Sequence, residues 1–175
     1  DLKDAIGGMR ALGISGINVT APHKVEVMKY IDVITDGAKK LGSVNTVVNR
    51  DGKLYGYNTD ADGFCMALTK AGIEIENSRI LIIGAGGVVR PTLIRLIDNK
   101  PKSITVVNRT KSKAKTLAED ILKSTGFEVN TEIDKLEFDI VINTTSAGME
   151  PQENVMPIEN IEEINDLSFI NENTA

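Results

Sequence analysis

The sequence predicts an α/β protein, a doubly wound parallel sheet preceded by part of a smaller α/β domain. Three observations carry that prediction. From Arg79 onward, continuous apolar runs alternate with segments of helical periodicity. That is the grammar of parallel strands buried on both faces and joined by helical crossovers. Glycines follow the first of these runs directly, as at a strand-to-helix turn. Before residue 73 the strands are instead shorter and alternate apolar with polar residues, and one pair is joined at Asp51-Gly52. The boundary between the two parts lies near Ile73 to Ser78, giving 1–75 and 76–175.

The elements follow in order. "DLKDAIGGMRALG" spaces Leu2, Ile6, Met9 and Leu12 for one helical face and ends at Gly13, a C-terminal cap. "GINVT" reads as a strand that breaks at Ala21-Pro22, and a short helix is expected through "KVEVMKYID". "AKKLG" is a further helical turn. "NTVVNRDGKLYGYN" is a hairpin whose Asp-Gly pair supplies the turn. A helix through "ADGFCMALTKAG" follows. In the second part, strands are expected at "RILIIGAGG", "SITVVN" and "FDIVINTT", with "FEVN" a weaker candidate. Helices are expected at "PTLIRLIDN" and "KSKAKTLAEDILK". There is no internal repeat and no low-complexity segment.

Composition narrows the function classes. With 41% hydrophobic and 26% charged residues the chain reads as globular, and a net charge of −5 argues against nucleic acid or a membrane surface as partner. No apolar run approaches a membrane span, and no signal peptide is expected. The single cysteine, Cys65, allows no internal disulfide and fits a cytoplasmic protein. No metal site is expected. The chain starts at Asp1 and its tail stops without a closing element, so a native N-terminus is expected to be missing.

"GAGGVV" sets Gly84, Gly86 and Gly87 after a strand and before a helix. Glycines there let the backbone turn tightly and let a pyrophosphate approach the helix N-terminus. The plainer alternative is a tight turn with no ligand. The strand–turn–helix–strand order favours a Rossmann-type dinucleotide site. Val89 occupies the third small-residue position, where its bulk is expected to hold the helix slightly away from the strand. An NAD site has an acidic residue at the end of the second strand for the ribose 2′-hydroxyl. Here stand Asn108, Arg109 and Thr110, with Lys111 and Lys113 beyond. Cationic groups suit a 2′-phosphate, so the expected cofactor is NADP. For Lys115 a solvated helix face is the better reading.

In the first part, polar residues cluster at strand and loop ends, where sites are built. The clusters are Asn18 and Thr20 with Lys24; Asn45 with Thr46; and Asn58, Thr59 and Asp60. Each has a structural alternative, since Asn and Thr cap or turn the chain and Asp60 would serve as a helix N-cap. Together they suggest a site for a polyhydroxylated ligand around one lysine and one aspartate. Lys24 falls at an expected helix start, where the dipole disfavours a cation. A lysine held there suits proton transfer. His23, the chain's only histidine, is expected to pack or lie on the surface.

"NVTAPHK", "GSVNTVV", "GYNTDADGF", "GAGGVVR", "NRTKSKA" and "INTTSAGM", in that order and spacing, resemble the shikimate dehydrogenase family. The resemblance runs from Leu2 to about Pro157. It implies reversible reduction of 3-dehydroshikimate to shikimate with NADPH, in aromatic amino-acid biosynthesis, by a monomer or homodimer. It further implies that Thr20, Lys24, Asn45 and Asp60 meet the substrate, with Lys24 and Asp60 as the catalytic pair. Gly84, Ala85, Gly86, Gly87, Asn108, Arg109, Thr110 and Lys113 match cofactor contacts, and Thr145 and Ser146 match a cofactor-side loop. The alternatives are a quinate/shikimate dehydrogenase of broader substrate and cofactor use, or a non-catalytic ligand-binding remnant of the fold. The retained Lys24 and Asp60 speak against the remnant. The chain departs from the family at Val88, Val89, Pro91 and Thr144, and lacks a first strand with a serine pair and a closing segment with a glutamine and a glycine loop. A chain of this extent is therefore expected to turn over shikimate slowly or not at all.

Overall fold

A computed structural model describes residues 1–147 and the strand 168–171. Met149 and Pro157, which bound the resemblance at its far end, lie outside the described residues. The chain divides into two compact units, Asp1–Gly63 and Phe64–Ala175.

The first unit opens with α1, Leu2–Ala11, whose first turn is closed by a capping box between Asp1 and Asp4. Ile6 and Met9, one turn apart, are buried, whereas Leu12 is the C-cap and 78% exposed. The expected apolar stripe therefore stops one turn early, because the helix has ended before Leu12 can face the core. Strands β1 (Gly16–Asn18), β2 (Val33–Ile34), β3 (Thr46–Arg50) and β4 (Lys53–Tyr57) form a four-stranded sheet in the order β1-β3-β4-β2. Asp51 (φ 52°) and Gly52 (φ 83°) both turn through positive φ, the twist-matched two-residue turn that an Asp-Gly pair supplies. Val47 and Leu54 lie on one face of the hairpin, fully buried with Ile6, Met9, Val27, Ala38 and Val44. Helix α2, Asp36–Leu41, starts at the side chain of Thr35 and ends at Gly42, φ 72°.

One expected element differs. The short helix expected through "KVEVMKYID" is narrower and tighter than an α-helix: residues 26–30 form a five-residue 3₁₀ helix. Met28 N donates to Val25 O at 3.3 Å, three residues back, Val27 N to His23 O at 2.9 Å, four back, and the Lys24 carbonyl accepts from Val44 N at 2.8 Å. Lys24 thus precedes a helix too short to build a sizeable dipole. The field opposing its charge is correspondingly small.

Helix α3, Asp60–Lys70, runs across the division between the units. In the second unit β5 (Arg79–Ile83), β6 (Ser103–Val107), β7 (Ile140–Asn143) and β8 (Ser168–Asn171) pair in parallel in the order β6-β5-β7-β8. Helices α4, Val89–Asp98, and α5, Lys111–Thr125, follow β5 and β6. The weak candidate "FEVN" reduces to a single parallel bridge between Asn130 and Thr105, on the far side of β6. Ile80, Leu81, Ile82, Ile104, Val106, Val141 and Ile142 are all fully buried, which is why these strands read as unbroken apolar runs. Val89 is fully buried too, so its bulk goes into the core. Sequence neighbours separate between β5 and β7, the switch point at whose carboxyl ends open α/β sheets bind ligands. No helix among the described residues is long and apolar enough to cross a membrane.

Candidate active site

Three strand ends and the Lys24 loop are sewn together around Asn45 in the first unit. Val19 N donates to Asn45 O (2.7 Å), and Asn45 N donates to Tyr57 O (3.0 Å). This brings the loop carrying Lys24 to the start of α3, where Lys24 Nζ lies 2.6 Å from Asp60 Oδ2. The side chains are 24% and 54% exposed. A pair this open to water contributes only about 0–1 kcal/mol to stability, so folding alone does not account for it.

Asp60 is held from its other side by Asn45, which is 7% exposed. The Asn45 Nδ2 donates to Asp60 Oδ1 at 2.5 Å and to Thr59 Oγ1 at 3.0 Å. Its Oδ1 accepts from Thr59 N at 3.0 Å and Thr46 Oγ1 at 2.9 Å. The backbone donor at Thr59 and the carboxylate acceptor at Asp60 leave the amide one orientation. Asp60 stands in the first turn of α3, not at its cap. Thr20 is exposed and its hydroxyl has no hydrogen-bond partner among the described residues, although its carbonyl accepts from His23 N at 2.9 Å. His23 is exposed, as expected.

In the second unit the glycines separate into two kinds. Gly84 has φ +116°, and a Cβ there would collide with Thr144 Oγ1 and come within 3.2 Å of Thr145 Cγ2. The close approach of the β5 and β7 ends demands it. Gly86 and Gly87 are exposed, need no positive φ, and would place a Cβ within 4 Å of nothing. The protein itself does not require glycine at either position. Beyond them α4 starts at Val88 with no side-chain cap and no acidic residue in its first turn. Val89 N donates to Gly86 O at 3.1 Å and Pro91 has no N–H, so little of the α4 start is left to meet an anion through its backbone.

The entry to α5 repeats that character. Thr110 is its N-cap without a capping side-chain bond, and no acidic residue stands in the first turn. Asn108 Nδ2 donates to Thr110 O at 3.0 Å and shapes the turn. Arg109, Lys111 and Lys113 are exposed, and among the described residues none has an ion-pair partner. At the end of β7, Asn143 is 1% exposed and organises the loop that follows. Its Oδ1 accepts from Thr145 N (3.0 Å) and Oγ1 (2.7 Å), and its Nδ2 donates to Ala147 O (2.9 Å). Ser146 lies exposed beside it, and Ala85 is half-buried in the glycine turn. A cavity of about 500 Å³ opens elsewhere, among Ile73, Glu74, Glu76 and Asp98, and contains none of these residues.

Residues 1–47 match the family model described as the shikimate dehydrogenase substrate binding domain, and residues 66–169 match that of shikimate / quinate 5-dehydrogenase. The chain belongs to the shikimate dehydrogenase family. It is 48% identical over 162 residues to the shikimate dehydrogenase (NADP(+)) of Geobacillus sp. (strain WCH70), covering 90% of this chain and 58% of that protein. It is 40% identical over 183 residues to that of Nitrosopumilus maritimus (strain SCM1), covering 99% and 67%. A crystal structure of a shikimate dehydrogenase in complex with NADP+ superposes with TM-score 0.82 at 34% identity, covering 98% of this chain and 70% of that one. The chain thus spans 58% of the length of the Geobacillus relative.

Within this family member, the first unit joins Lys24, Asn45 and Asp60, and leaves Thr20 outside that network. In the second, Gly84 and Thr145 meet, while Arg109 and Lys113 stand at a separate turn. Sequence reasoning did not single out Ser43 or Asn143, and it placed Asn58 in a candidate site cluster without showing what its side chain holds. All three are buried polar side chains, at 6%, 1% and 8% exposure. The signal available was the Asn-Thr-Asp run at a helix start, where an Asn side chain binds a backbone N–H two residues on.

Proposed function

We propose that the protein reversibly reduces 3-dehydroshikimate to shikimate with NADPH, a step of aromatic amino-acid biosynthesis suited to the cytoplasm. The observation that carries this reading is the Lys24–Asp60 pair, clamped by Asn45 and too exposed to be a stability device. Residues 1–75 form the substrate-binding part and residues 76–175 the NADP-binding part.

The residues fit the cofactor. Gly86 and Gly87 leave room for a backbone-hugging pyrophosphate where the fold itself needs no glycine. Arg109, Lys111 and Lys113 offer cations for a 2′-phosphate that no carboxylate among the described residues occupies. Gly84, Ala85, Gly86 and Gly87 would hold the pyrophosphate, Asn108, Arg109, Thr110 and Lys113 the adenosine phosphate, and Thr145 and Ser146 the remaining side. When bound, the nicotinamide supplies the hydride in reduction and accepts it in oxidation.

The chain's own work is with the proton. In reduction, the Lys24 ammonium gives a proton to the oxygen that becomes the alcohol; in oxidation, the Lys24 amine takes it back. Asp60 accepts a hydrogen bond from a substrate hydroxyl and holds Lys24 in line. Asn45 keeps Asp60 from swinging, which preserves the near-attack geometry, and Thr20 offers its unengaged hydroxyl to the ligand. Steady-state assays of the full-length protein with shikimate and with quinate, each with NADP+ and NAD+, test this. Turnover is expected chiefly with shikimate and NADP+. No oxidation of shikimate with either cofactor would defeat it.

A further inference from the structure

Asp60 is aimed by a side chain that bonds its backbone and touches neither Lys24 nor the Asp60 carboxylate. Asn58 is 8% exposed. Its Oδ1 accepts from Asp60 N at 3.2 Å. Its Nδ2 donates to Ser43 Oγ at 2.8 Å and to Ser43 O at 3.2 Å. Ser43 is itself 6% exposed. Both ends of the amide are therefore committed, and its orientation is fixed by a backbone donor on one side and a carbonyl on the other.

Asn45 makes the reciprocal connection. It lies two residues after Ser43 and reaches across to Thr59 and the Asp60 carboxylate. Two short segments, 43–45 and 58–60, are thus cross-braced by two buried amides, one gripping the backbone of Asp60 and the other its carboxylate. A helix cap alone asks only for an acceptor at an exposed position. Here the Thr59 hydroxyl is spent on Asn45, and Asn58 uses its donor half on Ser43, away from α3.

We propose that Asn58 is a positioning residue, anchored on Ser43, that sets the angle at which α3 begins and so the direction of the Asp60 carboxylate. The kinetic consequence rests on the function proposed above; the geometric one does not.

Asn58→Ala, Asn58→Ser and Ser43→Ala in the full-length protein test it. Alanine removes both connections, whereas serine retains an oxygen able to accept from a backbone N–H two residues on. Two readouts are needed: kcat and KM for shikimate, and NMR exchange of the Asn45 side-chain amide protons. Asn58→Ala is expected to lower kcat by about ten- to a hundredfold, the cost of a small misplacement, with KM changed far less. It should speed exchange at Asn45 by about tenfold through local opening, while the Val47 and Leu54 amides keep their wild-type protection. Asn58→Ser should recover part of both, and Ser43→Ala should fall between serine and wild type. An Asn58→Ala variant with a lowered Tm but wild-type kcat and Asn45 exchange would reduce Asn58 to a fold-supporting residue and overturn the proposal. If the wild-type protein fails to oxidise shikimate, the function proposed above fails, and the exchange at Asn45 alone still decides whether Asn58 positions the segment.

Discussion

Gly84 and Gly86 stand two positions apart and answer to different demands. Gly84→Ala meets a positive φ worth about 1–3 kcal/mol of strain. It also forces Thr144 aside, whose hydroxyl donates to Ile83 O at 2.8 Å, an overpacking cost of about 1–3 kcal/mol. Gly86→Ala meets no protein atom and no left-handed backbone. Its Tm should stay level or rise slightly, since alanine restricts the unfolded chain, while NADP affinity falls by about tenfold, or ~1.4 kcal/mol. Thermal melts with and without NADP separate the two, and a Gly86→Ala protein with unchanged affinity would make that glycine a turn residue only. Residue identities made much of this legible: glycines at a strand end and one lysine with one aspartate are chemically distinctive. What identity does not state is the direction of hydrogen bonds. Nothing in "GSVNT" or "GYNTD" says that Asn45 and Asn58 reach into each other's segments: the hairpin read from the sequence sets these strand ends side by side, but not which way their amides turn.

Elements are tied at their ends by arginines that periodicity does not announce. The Arg79 guanidinium grips Asp139 through Nε (3.1 Å) and Nη2 (2.9 Å) and reaches Glu137 through Nη1 (2.8 Å), joining the starts of β5 and β7. Arg10 of α1 meets Asp32 at 2.6 Å and the Gly52 carbonyl at 2.7 Å, fastening the helix to the hairpin turn. The Arg79 side chain, and then its backbone N–H, hold the Asp139 carboxyl below the usual carboxylate range. The Arg10 side chain and the Leu54 N–H do the same for Asp32. A carboxyl depressed in the folded state stabilises it above the unfolded value of about 3.9, and that contribution is lost as pH falls through the folded value. Asp139→Asn should therefore have a lower urea midpoint than wild type at pH 7, with the two converging below about pH 4. A gap that persisted undiminished into acid would assign the loss to packing instead. At this scale the long apolar strands were legible because both their faces are buried. Two elements were not: β2 is only two residues, Val33–Ile34, too short to show alternation, and the 3₁₀ helix shares its apolar spacing with an α-helix over a single turn.

Over the whole chain, the groups assigned to proton transfer and those assigned to the cofactor fall in different compact units: Lys24, Asn45 and Asp60 within Asp1–Gly63, and Gly84 to Gly87 and Arg109 within Phe64–Ala175. Among the described residues, none of the side-chain hydrogen bonds that fix Lys24, Asn45 and Asp60 uses a residue of the second unit. Their perturbations should accordingly separate. Losing the charge-assisted contact of Arg109 costs about 1.5–3 kcal/mol, so Arg109→Ala should weaken NADP by about ten- to a hundredfold and leave NAD nearly unchanged. Lys24→Met should lower kcat by about 10²–10⁴ and leave the NADP dissociation constant, measured by calorimetry without substrate, at its wild-type value. Perturbations that share no partner add. The double variant should then show the product of the two losses, each in its own parameter. If Lys24→Met raised KM for shikimate while kcat held, the lysine would bind without moving a proton. Should Arg109→Ala weaken NADP and NAD alike, the arginine would be supporting the α5 turn and not reading the 2′-phosphate.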